Sequence, residues 1–173
     1  MNDKLSDGIQ ALAVHHLELV KRFAVECARH LEYVEFDRDA LRAVDTASEF
    51  LDDNLNRNCL LQDVNKAPVG VFKLAAQVCY EDEESIVIKL ADQVARDAQA
   101  RVACAVFKDA FQQSLNERGA ISYKEIEHAL MCAKEIAKIA CEKRQDVEKE
   151  WQEAKLDEFL SMADRIDSYG VVS

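Results

Sequence analysis

The feature that most restricts this chain is how little it contains that can stop a helix: one proline, Pro68, and four glycines, at positions 8, 70, 119 and 170 of 173. Strands joined by tight turns need those residues at regular intervals, so sandwiches, barrels and collagen-like structures are excluded at the outset. What the sequence offers in their place is apolar residues at alternating intervals of three and four, the mark of a helix that buries one face.

That spacing runs through Ile9, Leu12, His16, Leu19/Val20, Phe23, Cys27, Leu31 and Val34, and predicts one long first helix over residues 6–35. Asp37 is a side chain suited to accept a helix's first free amides, and the period resumes behind it at Leu41, Val44, Ala47 and Leu51. A second helix is expected over 38–56, antiparallel to the first because the connection is short. The turn-prone stretch from Asn56 to Pro68 is read as the main break, with at most a turn of helix around Leu60 to Val64. A short apolar helix is predicted for 69–80, with Val71, Leu74, Ala75 and Val78 available for burial.

Glu81, Asp82, Glu83 and Glu84 fall where the next helix begins, and carboxylates there are favoured by the partial positive charge of a helix N-terminus. The helix they open is expected to continue to about Glu117 through an alanine-rich face, and Gly119 is read as its end. Ser122-Tyr-Lys-Glu125 is a capping box, in which hydroxyl and carboxylate each satisfy a free amide. No glycine or proline follows until Gly170. The last helix is therefore predicted to reach about 45 residues, roughly 68 Å at 1.5 Å per residue. Its first half is expected to bury Ile126, Ala129/Leu130, Ala133, Ile136/Ala137 and Ala140. Glu142 to Glu150 is nearly all charged, and apolar character returns at Trp151, Leu156, Phe159, Leu160 and Ile166. Two outcomes follow for 142–169: a break near 142–148 that folds the segment back, or a projecting helix.

The fold class expected is all-α, an irregular and mainly antiparallel bundle of about five helices with a long first and a very long C-terminal helix. The whole of 1–173 is read as a single helical domain.

Charge bears on partners. The chain has 22 basic and 33 acidic residues, a net charge of −11, which opposes direct binding of nucleic acid or anionic membrane surfaces. No run of about eighteen apolar residues is present to span a bilayer. Counted by thirds along the sequence the excess is evenly spread, with knots at Glu32, Glu35, Asp37 and Asp39 and at Glu81 to Glu84. The six cysteines form no C-x-x-C pair and fall mostly in apolar helical runs, and the N-terminus lacks the pattern of a secretory signal. A reduced, cytoplasmic protein is expected.

Reaction chemistry finds little support. Glu125-x-x-His128 has the spacing of a helical di-metal ligand pair, but it has no second copy, and His128 lies about 200° round the helix from Ile126. His15, His16 and His30 are too poorly aligned to share an ion, and a half-buried histidine bonded to a carboxylate is their expected state. Glu81/Glu84, Glu150/Glu153 and Glu49/Asp52 resemble the acidic pairs of helical pyrophosphohydrolases, in the wrong order. No nucleophile elbow or phosphate loop is present. No cofactor is expected.

The leading functional expectation is a non-catalytic acidic module that captures a basic protein, of the physical type of inhibitors and of immunity or anti-defence proteins. Trp151, Phe159 and Leu160 are read as exposed anchors and Glu81, Asp82, Glu83 and Glu84 as the steering charge. The alternatives are a homo-oligomeric helical structural protein, a homodimer built on the last helix, and a metal-dependent helical-bundle enzyme with Glu125 and His128 as weak ligands.

Overall fold

The computed structural model describes residues 3–118 and 122–172, and the chain is all-α. Its helices are α1 (Lys4–Ala13), α2 (Leu17–Arg29), α3 (Arg38–Leu51), α4 (Arg57–Lys66), α5 (Val71–Tyr80), α6 (Glu84–Arg118) and α7 (Tyr123–Val172), with a 3-10 turn at Glu32–Val34 between α2 and α3. Among the described residues there are thus seven helices rather than about five. The end predicted at Gly119 lies outside the described residues.

The expected first helix is two helices. Val14 to His16 interrupt it, and His16 leaves the helical region with φ −137° and ψ 60°. The interruption escapes a reading by period because it preserves the phase: Leu12 before it and Leu19 and Val20 after it are all buried. The imidazole of His16 is drawn to Asp167, 2.8 Å away, the carboxylate partner expected for such a histidine.

Asp37 caps α3 as predicted, its carboxylate accepting from the amides of Asp39 (2.9 Å) and Ala40 (3.1 Å). This helix stops at Leu51 rather than near 56, because Asp53 takes the left-handed conformation, φ 61°, which aspartate tolerates better than most residues. The stretch read as a break is a full helix, α4. Asn56 accepts from the Cys59 amide at 3.0 Å to start it, and Ala67, extended ahead of Pro68, ends it.

The chain divides into two compact units. Unit 1 comprises residues 1–98 and 151–173, and unit 2 comprises 99–150. In unit 1, α5 packs against α2, α3 and α4. It is the most deeply placed of the short helices, with Val71, Phe72, Ala75, Ala76, Val78 and Cys79 buried. Leu5, Ile9 and Leu12 of α1, Val20 and Phe23 of α2, Val44 of α3, Leu60 and Val64 of α4, and Val87, Ala91, Val94 and Ala95 of α6 complete the core with Leu156 and Phe159 of α7. Two part-buried polar contacts join these helices: the Thr46 hydroxyl donates to Asp63 at 2.6 Å, tying α3 to α4, and Arg22 donates to the Leu51 carbonyl at the end of α3 at 2.9 Å.

Unit 2 is an antiparallel hairpin of the second part of α6 and the first part of α7. Ala129, Ala133 and Ala137 are buried on α7 and Val102 on α6, and the Cys141 thiol lies 3.2 Å from the Ala103 carbonyl. Ile126 and Ile136, expected in the core, are exposed. A helix with one neighbour hides one narrow stripe, and here alanine fills it.

No break occurs at 142–148. Residues 123–172 form one 50-residue helix, about 75 Å long at 1.5 Å per residue. Intrahelical hydrogen bonds carry it through the charged stretch even though few apolar side chains there can be buried. Ser122 begins it, its hydroxyl accepting from the Glu125 amide at 3.3 Å, the hydroxyl–amide bond of the expected capping box.

Candidate functional site

The side chains singled out as anchors on the last helix are packed within unit 1. Phe159 is 7% exposed and meets Phe23 edge-on, with ring centroids 6.3 Å apart and planes at 83°. Trp151 is half-buried and stacked on His30. Leu160 is half-buried beside Lys4, Asp7, Gly8 and Leu156. The expectation that these residues stand exposed is corrected by their packing: the apolar face of α7 beyond 150 is turned into the core of unit 1.

The acidic run opens α6 as predicted, and Asp82, Glu83 and Glu84 are exposed while Glu81 is half-buried. Asp82 is not a free charge, since Arg57 lies 3.6 Å from it and also sits over the Tyr80 ring at 5.7 Å. The Glu83 carboxylate accepts from the Ser85 hydroxyl at 3.1 Å. Glu125 and His128 are exposed in the first turns of α7. Among the described residues, no three His, Cys, Asp or Glu side chains come close enough to share a metal ion.

An exposed aromatic pair in an acidic setting does exist, at the corner between α2 and α3. Phe36 is 88% exposed and Tyr33 53% exposed, with Glu32, Asp37 and Asp39 exposed around them and Glu35 half-buried. The corner is held in shape by its own carboxylates. Glu35 accepts from the amides of Phe36 (3.0 Å) and Asp37 (2.9 Å), and Asp37 caps α3. The segment has no helix of its own beyond the 3-10 turn, yet the four successive amides of Val34, Glu35, Phe36 and Asp37 are engaged, so Phe36 is presented from a constrained loop. The sequence carried a signal for this pair. Tyr33 and Phe36 fall off the periodic positions that include Leu31 and Val34, and large apolar residues off the stripe and between charges are candidates for exposure.

The charge is also distributed differently from what counting along the sequence suggests. Unit 2 has nine basic and nine acidic residues and is neutral, whereas unit 1 has 13 basic and 24 acidic, a difference of −11 that accounts for the whole excess. Successive thirds mix the two units and hide the partition. The acidic field therefore belongs to unit 1, which also contains the Tyr33/Phe36 corner.

Comparison of the chain with protein-family models, with curated proteins and with solved structures gave no match. Among the described residues, no helix is long and apolar enough to cross a membrane.

Proposed function

We propose that the protein is a non-catalytic binding module that captures a basic protein partner, in the manner of an inhibitor, through the corner between α2 and α3. The observation that carries this reading is the exposure of Phe36 and Tyr33 among Glu32, Asp37 and Asp39, on a loop whose backbone is already ordered. An aromatic side chain presented this way gives up little conformational freedom on binding and supplies apolar area at the centre of a contact, while the surrounding carboxylates select a cationic rim. The acidic excess of unit 1 raises the encounter rate with such a partner and makes it dependent on salt.

The test is titration of the purified chain against a panel of basic proteins, with the Phe36→Ala and Tyr33→Ala variants alongside. Support is saturable one-to-one binding to a panel member that weakens at least tenfold in Phe36→Ala while the melting temperature holds. Binding that ignores both substitutions and disappears at modest salt is unspecific charge attraction and removes the proposal.

A further inference from the structure

Three contacts between α2 and the part of α7 in unit 1 fall in one register. His16, at the start of α2, meets Asp167 at 2.8 Å. Phe23, in its middle, meets Phe159 edge-on, and His30, at its end, lies on Trp151. Advancing along α2 from one contact to the next moves the partner back along α7, so the two helices run antiparallel, side by side for about 21 Å at 1.5 Å per residue. The seam has an aromatic pair at its centre and an imidazole at each end. Of the chain's four histidines these two are half-buried, while His15 and His128 are exposed.

Both end contacts gain from a proton. A neutral imidazole can bond to a carboxylate through its one N–H, and an imidazolium makes the same bond with opposite charges on its two sides, which roughly doubles its strength. Over the face of an indole, a cation is drawn to the negative side of the ring quadrupole, an attraction that a neutral ring lacks. His30 also ends α2, where the partial negative charge of a helix C-terminus favours a cation. His16 stands at the other end, whose partial positive charge opposes its proton, but the direct bond to Asp167 is the stronger effect. The charged and titratable neighbours are mostly acidic. Close to His16 in sequence are His15 and Glu18, with Asp164 a turn before Asp167 on α7. Around His30 they are Glu26, Arg29 and Glu32, with Glu148 and Lys155 a turn either side of Trp151. Arg29 lies 3.5 Å from Asp45 and Lys155 3.1 Å from Glu158, so both of these cations face carboxylates of their own. Unit 1 as a whole carries the net −11, and its field favours protonation as well.

We propose that this seam is a pH-sensitive clasp: as pH falls from about 8 to about 6, His16 and His30 each take a proton from solvent, and residues 151–167 are held more firmly against α2. The sign follows from linkage. A base that binds its proton more readily in the fold than in the unfolded chain lends stability that is complete at low pH and lost as pH rises through its folded titration. This stands apart from the proposed capture of a basic partner, which does not use the seam.

The experiment is hydrogen exchange of the full chain at about pH 6 and about pH 8, read by mass spectrometry on peptides of 151–167 and corrected for intrinsic rates. Protection of that segment in the wild type is expected to be about threefold or more higher at the lower pH. In His16→Gln with His30→Gln the ratio falls to about one, with the helical circular dichroism unchanged. Asp167→Asn, which keeps a hydrogen-bonding amide and removes only the charge, lowers the ratio by itself. Trp151 is the only tryptophan, and an imidazolium in contact with an indole quenches its emission, so lowering the pH dims the wild type and leaves His30→Gln unchanged. Equal protection at the two pH values overturns the proposal, as does a ratio that survives the double substitution or Asp167→Asn. So does wild-type emission that stays constant from pH 8 to pH 6, a result that needs no variant to fold.

Discussion

The imidazole of His30 lies flat on the indole of Trp151, with ring centroids 3.7 Å apart and planes 4° from parallel. His30 is the residue at which α2 ends, and Trp151 is the first residue of α7 assigned to unit 1. The stack therefore joins the C-terminal segment to the N-terminal part of the chain where that segment enters the unit. Removing the indole exposes the face of His30 and leaves a half-filled space. Trp151→Ala is expected to cost about 2–3 kcal/mol, below the range for a fully buried tryptophan, and Trp151→Phe about half of that. Urea unfolding followed by circular dichroism measures both, and an unchanged midpoint in Trp151→Ala contradicts the packing role.

Close approach makes a second prediction. A Cβ added at Gly8 collides with Cδ2 and comes 3.1 Å from Cγ of Leu156, a side chain fully buried in unit 1. Alanine within a helix is favoured over glycine by about 1 kcal/mol, whereas overfilling a packed interior costs about 1–3 kcal/mol. The second effect wins, and Gly8→Ala is expected to destabilise by about 1 kcal/mol. Shortening Leu156 to Ala in the same chain gives the new methyl room, so the two changes together cost less than the sum of each alone. A four-variant cycle of denaturation midpoints decides it, and strict additivity refutes the contact.

The start of α1 carries a pH dependence. Burial raises the tendency of the Asp3 carboxyl to stay protonated, but the hydrogen bond from Arg96, the amides of Ser6 and Leu5 and the charge of Arg96 together outweigh it, leaving the group below its ordinary value of 3.8. A carboxyl depressed in the folded state stabilises the fold above its unfolded pKa, and the contribution is lost as pH falls through the folded value. Asp3→Asn is thus expected to be less stable than the wild type at pH 7, with the gap closing below pH 3.8 as the wild-type carboxyl takes up its proton. A gap constant from pH 7 to pH 2 shows that the ion pair with Arg96 contributes nothing.

The cysteines should separate into classes. Burial pushes the Cys79 thiol up to about 12 despite the opposing charges of Lys21 and Arg22, so at neutral pH it holds its proton, and Cys27 is equally enclosed. Cys104 is exposed. Brief maleimide treatment of the native protein is expected to modify Cys104 first and to leave Cys27 and Cys79 untouched until denaturant is added, since the thiolate is the reacting species and needs access. Mass spectrometry of the digested chain reads the order directly, and early labelling of Cys79 contradicts the described core.

Much of this architecture is legible in the sequence, because the relevant physics is local. Asp37 and Ser122 act as caps wherever their neighbours place them, and the apolar period gives the helical class and most of the faces. What the period cannot give is the identity of whatever lies opposite a face. Trp151 and Phe159 look like exposed anchors next to a charged segment, yet Phe23 and His30, more than a hundred residues away, cover them. Ile136 looks like core until one knows that its helix has a single neighbour in unit 2. The interruption at Val14–His16 is hidden for another reason: a short break that conserves the phase leaves the pattern of buried residues intact. At the candidate site the acidic knot and the off-stripe placement of Tyr33 and Phe36 are visible in the sequence, whereas the shape of the corner depends on Glu35 turning back onto two successive amides, a rotamer choice no spacing encodes.

Gln152 is wholly enclosed, and its side-chain amide donates to the Ala95 carbonyl of α6 at 2.9 Å. The buried alanines of α6, Ala91, Ala95 and Ala98, offer a packing helix almost the same surface after it slides by one turn, about 5.4 Å, because one methyl replaces another. An enclosed amide breaks that equivalence: it has to bring its donor to an acceptor at hydrogen-bonding distance, as it does at Ala95, and one enclosed without an acceptor costs about 1–3 kcal/mol. One glutamine thus acts as the detent for the stretch of α7 inside unit 1, and a hydrophobic replacement there would leave the contact greasy but its register less well defined.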